Sequence, residues 1–563
     1  MLTACRWQLK PTVPADHLLN QPDLPPLIRQ LLYNRGITDP SQADVFLTAD
    51  RRLLHDGRLL PDMDKALPRI YQAILKGERL AVYGDFDVDG LSATALLVKG
   101  LSALGACVEP YIPHRLQEGH GLNSNALNEL KDRGVSLVIT ADCGITGNEQ
   151  ISKLPRGMEV IITDHHLPGA ELPAALAVID PYRTDSAYPF RDLAGVGVAY
   201  KLLGSLYEGV GRRAELEDYL DLVALGTVAD IMPLLGENRY LVTAGLQKLH
   251  ACHRLGICEL ISQAGIAPDK LEAEHISWIL APRLNAAGRL EHAISGYQLL
   301  VTESPEEARA LTQWLNEKNT ERQKLTAAAL SQAREQVLAK GIAPLLIASH
   351  EDFPGGILGL VAGKLTDEFY HPAIVTQIGQ ELSRGSARSI PEFNISEALG
   401  RCAELLSHYG GHAQAAGFTL PTSNLPAFEY QLSEIASQEL SGRDMRPQIE
   451  IDAQARFHEL SGATFRLIQQ MAPFGHQNPT PIFLSRAVTI SESRPMGTSG
   501  QHLKLKIKQN NVLWDAVIFG LGERTIEDKL PLDIVYTFEQ DCWNGMSRLR
   551  LNIKDFAPTG MNI

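Results

Sequence analysis

The chain has 563 residues, 44% of them hydrophobic and 21% charged, too many for a single core and enough for roughly three or four globular domains. A formal net charge of -14 excludes a protein that coats nucleic acid through bulk electrostatics, although residues 445–563 carry 13 Lys+Arg against 12 Asp+Glu and leave the acidic excess elsewhere. No apolar run reaches the ~18 residues of a membrane span, and the start MLTACRWQLK lacks a signal peptide's apolar core, so a cytoplasmic protein without membrane association is expected.

Residues 1–76 show helical patches broken by proline-rich turns (QPDLPPLIRQ, TDPSQADVF) and no chemistry, which assigns them a supporting role. From 77 onward strands alternate with helical stretches: LAVYGD, VEPYIP, SLVITADCG, EVIITDHH and AALAVIDP. This alternation predicts a parallel, doubly wound α/β sheet within 77–302, followed by a helical insert. Residues 303–341 carry a long charged helical pattern with Ser304 as N-cap and Pro305 in the first turn. At 1.5 Å per residue such a helix spans on the order of 50 Å, enough to join two domains. Residues 342–444 resume the α/β pattern with APLLIA and HPAIVTQIG and contain two glycine-rich points, SRGSARSI and YGGHAQAAGF. From 445 to 563 the pattern is β, with NN at 510–511 and NG at 544–545 each separating alternating runs, which predicts hairpins in a small barrel or sandwich. The seven cysteines are scattered, none in C-x-x-C, and read as reduced thiols that offer no zinc site.

Chemistry concentrates after the first strand, where GDFDVDG packs Asp85, Asp87 and Asp89 into five positions. The pattern also opens a calcium EF-hand loop, but position 12 of that loop is Leu96 instead of a bidentate Glu, and a strand precedes it where a helix should. Later strands end alike: Asp142 follows VITA, and Asp164, His165 and His166 follow VIIT. Parallel neighbours deliver their C-terminal ends to one edge, so these side chains converge, and Asp230 in GTVADIMPL joins them. Carboxylates mixed with imidazoles, without thiolate, suit manganese or magnesium.

GDFDVDG, the Asp of TADCG, TDHH and GTVADIMPL resemble the four motifs of the DHH phosphoesterase superfamily, and YGGHAQAAGF resembles the motif of its DHHA1 domain. YIPHR, EGHGL, LAGVGVA, APRLNAAGR, GSARSI and PFGHQNPTPIF extend the resemblance over nearly the whole chain, toward the branch that degrades single-stranded DNA from the 5′ end. The resemblance implies an α/β fold: a parallel-sheet DHH domain joined by the long helix to an α/β DHHA1 domain, plus a C-terminal all-β OB-like domain.

It also implies two Mn2+ or Mg2+ ions. Asp87 and Asp142 would hold one, completed by Asp85 or water; Asp89, Asp142, His165 and Asp230 would hold the other. His166 would face the substrate, with Asp164 orienting the histidine pair. Arg115, Arg283, Arg289, Ser386 and Arg388 resemble positions that grip phosphates, the 5′-terminal one included, with His412 a further contact or a buried core histidine. For each arginine the plain alternative is a surface ion pair. In the β segment Lys504, Lys506 and Lys508 share one face of HLKLKIK, as Arg548 and Arg550 do in SRLRLNI; such alternation ordinarily marks a half-buried strand with a solvated face, and in an OB-like domain it would track single-stranded DNA, with Trp514 or Trp543 as stacking platforms or core residues.

Three positions depart from the family pattern: Tyr83 where a histidine is frequent, Cys143 in place of an asparagine, and Phe353–Pro354 in place of Trp-His. The implied activity is a metal-dependent exonuclease in recombination and repair, working with single-strand-binding protein and a helicase. The alternatives are a phosphodiesterase of short oligonucleotides or cyclic dinucleotides and a non-catalytic replication scaffold.

Overall fold

The strand Arg79–Gly84 is buried at every position but its first, as expected of an apolar run covered on both faces of a sheet. In the computed structural model it lies within a five-stranded, all-parallel sheet in the order Cys107–Tyr111, Arg79–Gly84, Val135–Ala141, Glu159–Thr163, Ala177–Ile179. The structure describes residues 5–14, 17, 24–115, 117–497, 500–520, 530–543 and 546–560, without the side chains of 542, 543 and 546. After Arg79–Gly84 the chain moves to one side of the sheet, and from Val135–Ala141 onward it moves to the other. The strand order reverses between these two neighbours, so a crevice opens outside their C-terminal ends.

The helix Val88–Ala103 leaves this crevice and is buried nearly all round, packed on the sheet and on the helices Gly195–Gly209 and Leu220–Ala229. The helix Pro305–Lys340 has 36 residues and starts where the sequence places it, with Ser304 Oγ accepting from Glu307 N at 3.2 Å. Toward its end Ala329, Ala333 and Val337 share a core with Leu346, Phe353 and Val361. There a mixed sheet runs in the order Leu346–His350, Ala373–Gln377, Leu382–Arg388, Ala415–Pro421, His408–His412, its first pair parallel and the rest antiparallel.

Two compact units divide the chain: His55–Met232 with Leu241–Met445, which holds both of these sheets, and Met1–Leu54 with Pro233–Tyr240 and Arg446–Ile563. In the latter, Ile482–Met496 pairs with both His502–Gln509 and Leu532–Trp543, while Val512–Ile518 runs parallel to Met546–Pro558. Five strands thereby close into a barrel of OB type. Asn510, at φ 54, turns the NN hairpin. The NG turn at 544–545 and the Trp543 side chain lie outside the described residues.

The N-terminal residues depart from the sequence reading. The segment 1–76 does not act as one piece: Arg6–Leu9 pairs in parallel with Gln448–Ile451, and Ile28, Leu31, Leu32 and Phe46 enter the barrel's core. Residues 55–76 instead belong to the unit of the parallel sheet, where Tyr71 Oη donates to Leu206 O of the helix Gly195–Gly209 at 2.6 Å. A four-residue strand pairing with a partner more than four hundred positions away leaves no local periodicity to read. Cys252 and Cys258 also differ from the expected free thiols, since the structure joins them as a disulfide with Cα atoms 5.3 Å apart. Among the described residues no helix is long and apolar enough to cross a membrane.

Arg239 pins the barrel unit. It is fully buried and donates to Phe46 O, Met471 O and Gln470 O at 2.7, 2.7 and 2.9 Å, with its guanidinium 4.0 Å from the Phe46 ring centroid. Burial pulls its pKa down to about 9. Arg239→Ala would strand three carbonyl oxygens in the core, and a loss of ~3 kcal/mol is expected in denaturant unfolding of that unit, where an unchanged midpoint would contradict the pinning.

Candidate metal centre and anion site

Asp87 caps the helix Val88–Ala103, its Oδ1 accepting from Asp89 N (3.0 Å) and Gly90 N (3.2 Å). Asp89 enters the first turn and is fixed from a third element: Gly195 N donates to its Oδ2 at 2.7 Å and Val196 N to its Oδ1 at 2.9 Å. The LAGVGVA segment thus brings a helix N-terminus onto a buried carboxylate, the favourable end of the helix dipole. Close approach requires glycine at two positions. A Cβ on Gly195 would fall 2.5 Å from Asp142 Cβ, and one on Gly226 would fall 2.6 Å from Asp89 Oδ1.

Asp142 ends the strand Val135–Ala141 in a left-handed conformation, φ 65, and is 3% exposed. A non-glycine residue held there costs on the order of 1–3 kcal/mol, and such strain persists where surrounding structure enforces it. His165 Nε2 stands 3.1 Å from Asp142 Oδ1, 3.5 Å from Asp230 Oδ2 and 3.9 Å from Asp89 Oδ2. Asp164 orients both histidines: its Oδ1 accepts from His165 N (2.7 Å) and from His166 Nδ1 (2.7 Å), while its Oδ2 accepts from Ile145 N (2.9 Å).

So many acids in one buried place oppose their own ionisation. Burial, then the neighbouring carboxylates, push Asp142 and Asp230 well above the usual carboxylate range, and burial with Asp85 raises Asp87. Burial lifts Asp89 to about 6 although His165 opposes it. Burial lowers His165, whereas the hydrogen bond to Asp164 raises His166 to about 9. Asp85 Oδ1, Asp142 Oδ1 and His165 Nε2 are buried without a hydrogen-bond partner. Orphaned acceptors at that depth are costly unless a cation meets them. Three groups have ligand atoms within 4.8 Å of one another: Asp85, Asp87 and Asp142; Asp89, His165 and Asp230; Asp142, His165 and His166. Oxygen and imidazole donors around a shared Asp142 fit two adjacent Mn2+ or Mg2+ ions.

Arginines gather beside these acids. Arg115 lies 4.8 Å from the Phe86 ring centroid, and its charge is felt by Asp87. Arg289 donates to Gly356 O at 3.1 Å; Arg388 donates to Ala387 O at 2.8 Å and to Ser386 Oγ at 3.2 Å. Burial, then the charges of Arg115, Arg322 and Arg388, pull Arg289 down to about 9. Burial lowers Arg115, Arg322 and Arg388 as well. Among the described residues none of these four pairs with a carboxylate, so the surface ion-pair alternative fails for Arg115, Arg289 and Arg388.

Arg283 stands apart: its Nε donates to Asn316 Oδ1 at 2.8 Å and its Nη1 to Ile279 O at 2.6 Å, which ties it to helices. His412 is exposed on the edge strand His408–His412, so it is not a core histidine. In the barrel unit Lys504 and Lys508 are exposed, but Lys506 Nζ bonds Glu492 Oε1 at 2.9 Å and Arg550 pairs with Asp541 at 3.0 Å. Trp514 packs edge-on against Phe538, centroids 5.3 Å apart, and its Nε1 donates to Phe457 O, so it lies half-buried against the barrel's core.

Sequence reasoning nominated neither Arg322, His120 nor Asn285. Arg322 looks like one more charge on a long charged helix. His120 stands in the EGHGL motif, its Nδ1 3.4 Å from Asp85 Oδ2. Asn285, in APRLNAAGR, accepts from Val88 N at 3.1 Å and ties that segment to the acidic turn. The departures also resolve: Tyr83 stacks on Tyr111 and donates to Gly121 O, Cys143 is buried with its thiol pushed up by burial, and Phe353 fills the core.

Known proteins share this arrangement. The DHH family N-terminal domain matches residues 79–227, the DHHA1 domain residues 336–438 and the RecJ OB domain residues 451–555. A single-stranded-DNA-specific exonuclease RecJ from Bacillus subtilis is 38% identical over 548 residues, 96% of this chain and 69% of that protein. The crystal structure of RecJ in complex with Mn2+ from Thermus thermophilus superposes with a TM-score of 0.85 at 29% identity, covering 99% of this chain and 80% of that one. Its Mg2+ complex superposes with a TM-score of 0.79 at 28% identity, covering 99% and 79%. Identity of this extent, carried through all three domains in order, makes the chain a member of the RecJ family of single-stranded-DNA-specific exonucleases.

Proposed function

We propose that this chain hydrolyses single-stranded DNA from its 5′ end and releases 5′-mononucleotides. The observation that carries the reading is a half-buried cluster of arginines, none of them ion-paired among the described residues, beside a cluster of buried carboxylates that raise one another's pKa. A strand end fits both: its 5′-terminal phosphate meets the arginines while the next phosphodiester lies at the acids. Guanidinium forks suit phosphate oxygens.

Asp85, Asp87 and Asp142 would hold one ion, and Asp89, Asp142, His165 and Asp230 the other. When bound, Mn2+ or Mg2+ supplies Lewis acidity toward a phosphate oxygen and makes water a stronger acid. Asp164 keeps His166 protonated at neutral pH, with its ring half-exposed. His166 is therefore placed to give a proton to the leaving 3′ oxygen as water adds to phosphorus and the P–O3′ bond breaks. Arg115, Arg289, Arg322, Ser386 and Arg388 would bind the terminal phosphate. The barrel would guide the strand through Lys504 and Lys508, with Lys506 already engaged by Glu492. Free strand ends are made by a helicase and covered by single-strand-binding protein, so both are proposed partners in cytoplasmic recombination and repair.

End-labelled strands test the reading. With Mn2+ or Mg2+, mononucleotides are expected from the 5′ end of single-stranded DNA and not from duplex; digestion confined to very short oligomers would contradict it. Asp142→Asn should lower turnover by at least ~100-fold with the circular dichroism spectrum retained. Arg289→Met and Arg322→Met should each raise KM ~10- to 100-fold for 5′-phosphorylated strands and leave 5′-hydroxyl strands unchanged, since each removes a charged hydrogen bond.

A further inference from the structure

The helix Leu220–Ala229 carries Asp230 at its C-cap and then stops in a tight reversal: Ile231 N donates to Val228 O and Met232 N to Thr227 O, both at 3.2 Å. Those two bonds define a Schellman motif, whose turning residue adopts the left-handed conformation and is ordinarily glycine. Ala49, Cys252 and Tyr370 also end helices at positive φ, but at five other ends glycine takes the turn. The same pair of bonds closes helices at Gly36, Gly77, Gly105, Gly211 and Gly265, all at positive φ. Beside the metal centre the turning residue is Ile231, at φ 58. Among the described residues it is the one β-branched side chain with positive φ, a conformation such residues avoid.

Folding does not account for the choice, because Ile231 is 67% exposed and gains little from burial. Leu167, the residue after His166, is 61% exposed as well. Asp230 Oδ2 lies 3.5 Å from His165 Nε2, and the His165 and His166 rings lie 4.6 Å apart, so the exposed Ile231 and Leu167 each directly follow a member of one carboxylate–imidazole cluster. A DNA strand offers such a cluster phosphates, sugars and bases, and only the base presents a flat apolar face. Every base has one, so an aliphatic platform grips without reading sequence.

We infer that Ile231, supported by Leu167, is a substrate-positioning residue: its side chain bears the nucleobase of the nucleotide being released and holds the phosphodiester over the acids. The inference rests on the exonuclease reading above and adds to it a contact for the base.

Ile231→Gly tests it, because glycine keeps the turn and removes only the side chain. Thermal stability should hold or rise, while kcat/KM on 5′-phosphorylated single-stranded DNA falls about tenfold, mainly through KM. The wild-type chain should prefer a natural 5′-terminal nucleotide to an abasic one, and Ile231→Gly should lose that preference. Leu167→Ala should reduce it. An Ile231→Gly enzyme that digests both strands with wild-type KM and unchanged preference would overturn the platform and leave the exonuclease reading intact. A wild-type chain that digests neither strand would remove the exonuclease reading and the platform together.

Discussion

Mutual repulsion among buried carboxylates is the constraint on which this molecule turns. Asp85, Asp89 and Asp142 are each less than 10% exposed, and Asp230 lies within 3.5 Å of the same histidine that Asp142 approaches to 3.1 Å. Like charges this close, away from water, cannot all ionise unless cations enter. The surrounding structure maintains this concentration of charge. The sheet's reversal of strand order opens the crevice, Gly195 and Gly226 leave room for the acids, and the left-handed turn at Asp142 directs one carboxylate to the centre of the group. Such features spend stability on a site with no folding purpose, a combination that marks function.

The arginine cluster is the complementary problem. Arg115, Arg289, Arg322 and Arg388 repel one another where the solvent is partly excluded, and each is held in place by backbone or neutral side chains or against an aromatic ring. A polyanion relieves them, and metal ions relieve the acids. The substrate and the cofactor are thus read from two unmet electrostatic demands in one unit of the chain, one of each sign. Long-range steering by an acidic surface would work against DNA, so the local cluster must supply the attraction.

Much of this was legible in the sequence. Five strands, the acids at their ends, the capped helix from Ser304 and the alternating β segment all rest on local period and local chemistry, which a single sequence displays. Relations between distant segments were not. The pairing of Arg6–Leu9 with Gln448–Ile451 and the burial of Arg239 among carbonyls of Phe46, Gln470 and Met471 depend on closure over hundreds of residues. Charge alone does not show which cations are already engaged. Arg283 matches a motif yet is spent on Asn316, Lys506 shares a face with Lys504 yet is neutralised by Glu492, and Arg322 belongs to no motif yet joins the cluster.

The most direct measurement is a Mn2+ titration of chelator-stripped protein, following bound ions by calorimetry and the unfolding temperature together. Two ions per chain should bind, the unfolding temperature should climb with Mn2+ concentration, and Asp142→Asn should bind fewer ions and lose most of the rise. A stripped protein that takes up no Mn2+, or an Asp142→Asn variant that binds two ions with undiminished stabilisation, would contradict the view that this carboxylate cluster exists to hold cations.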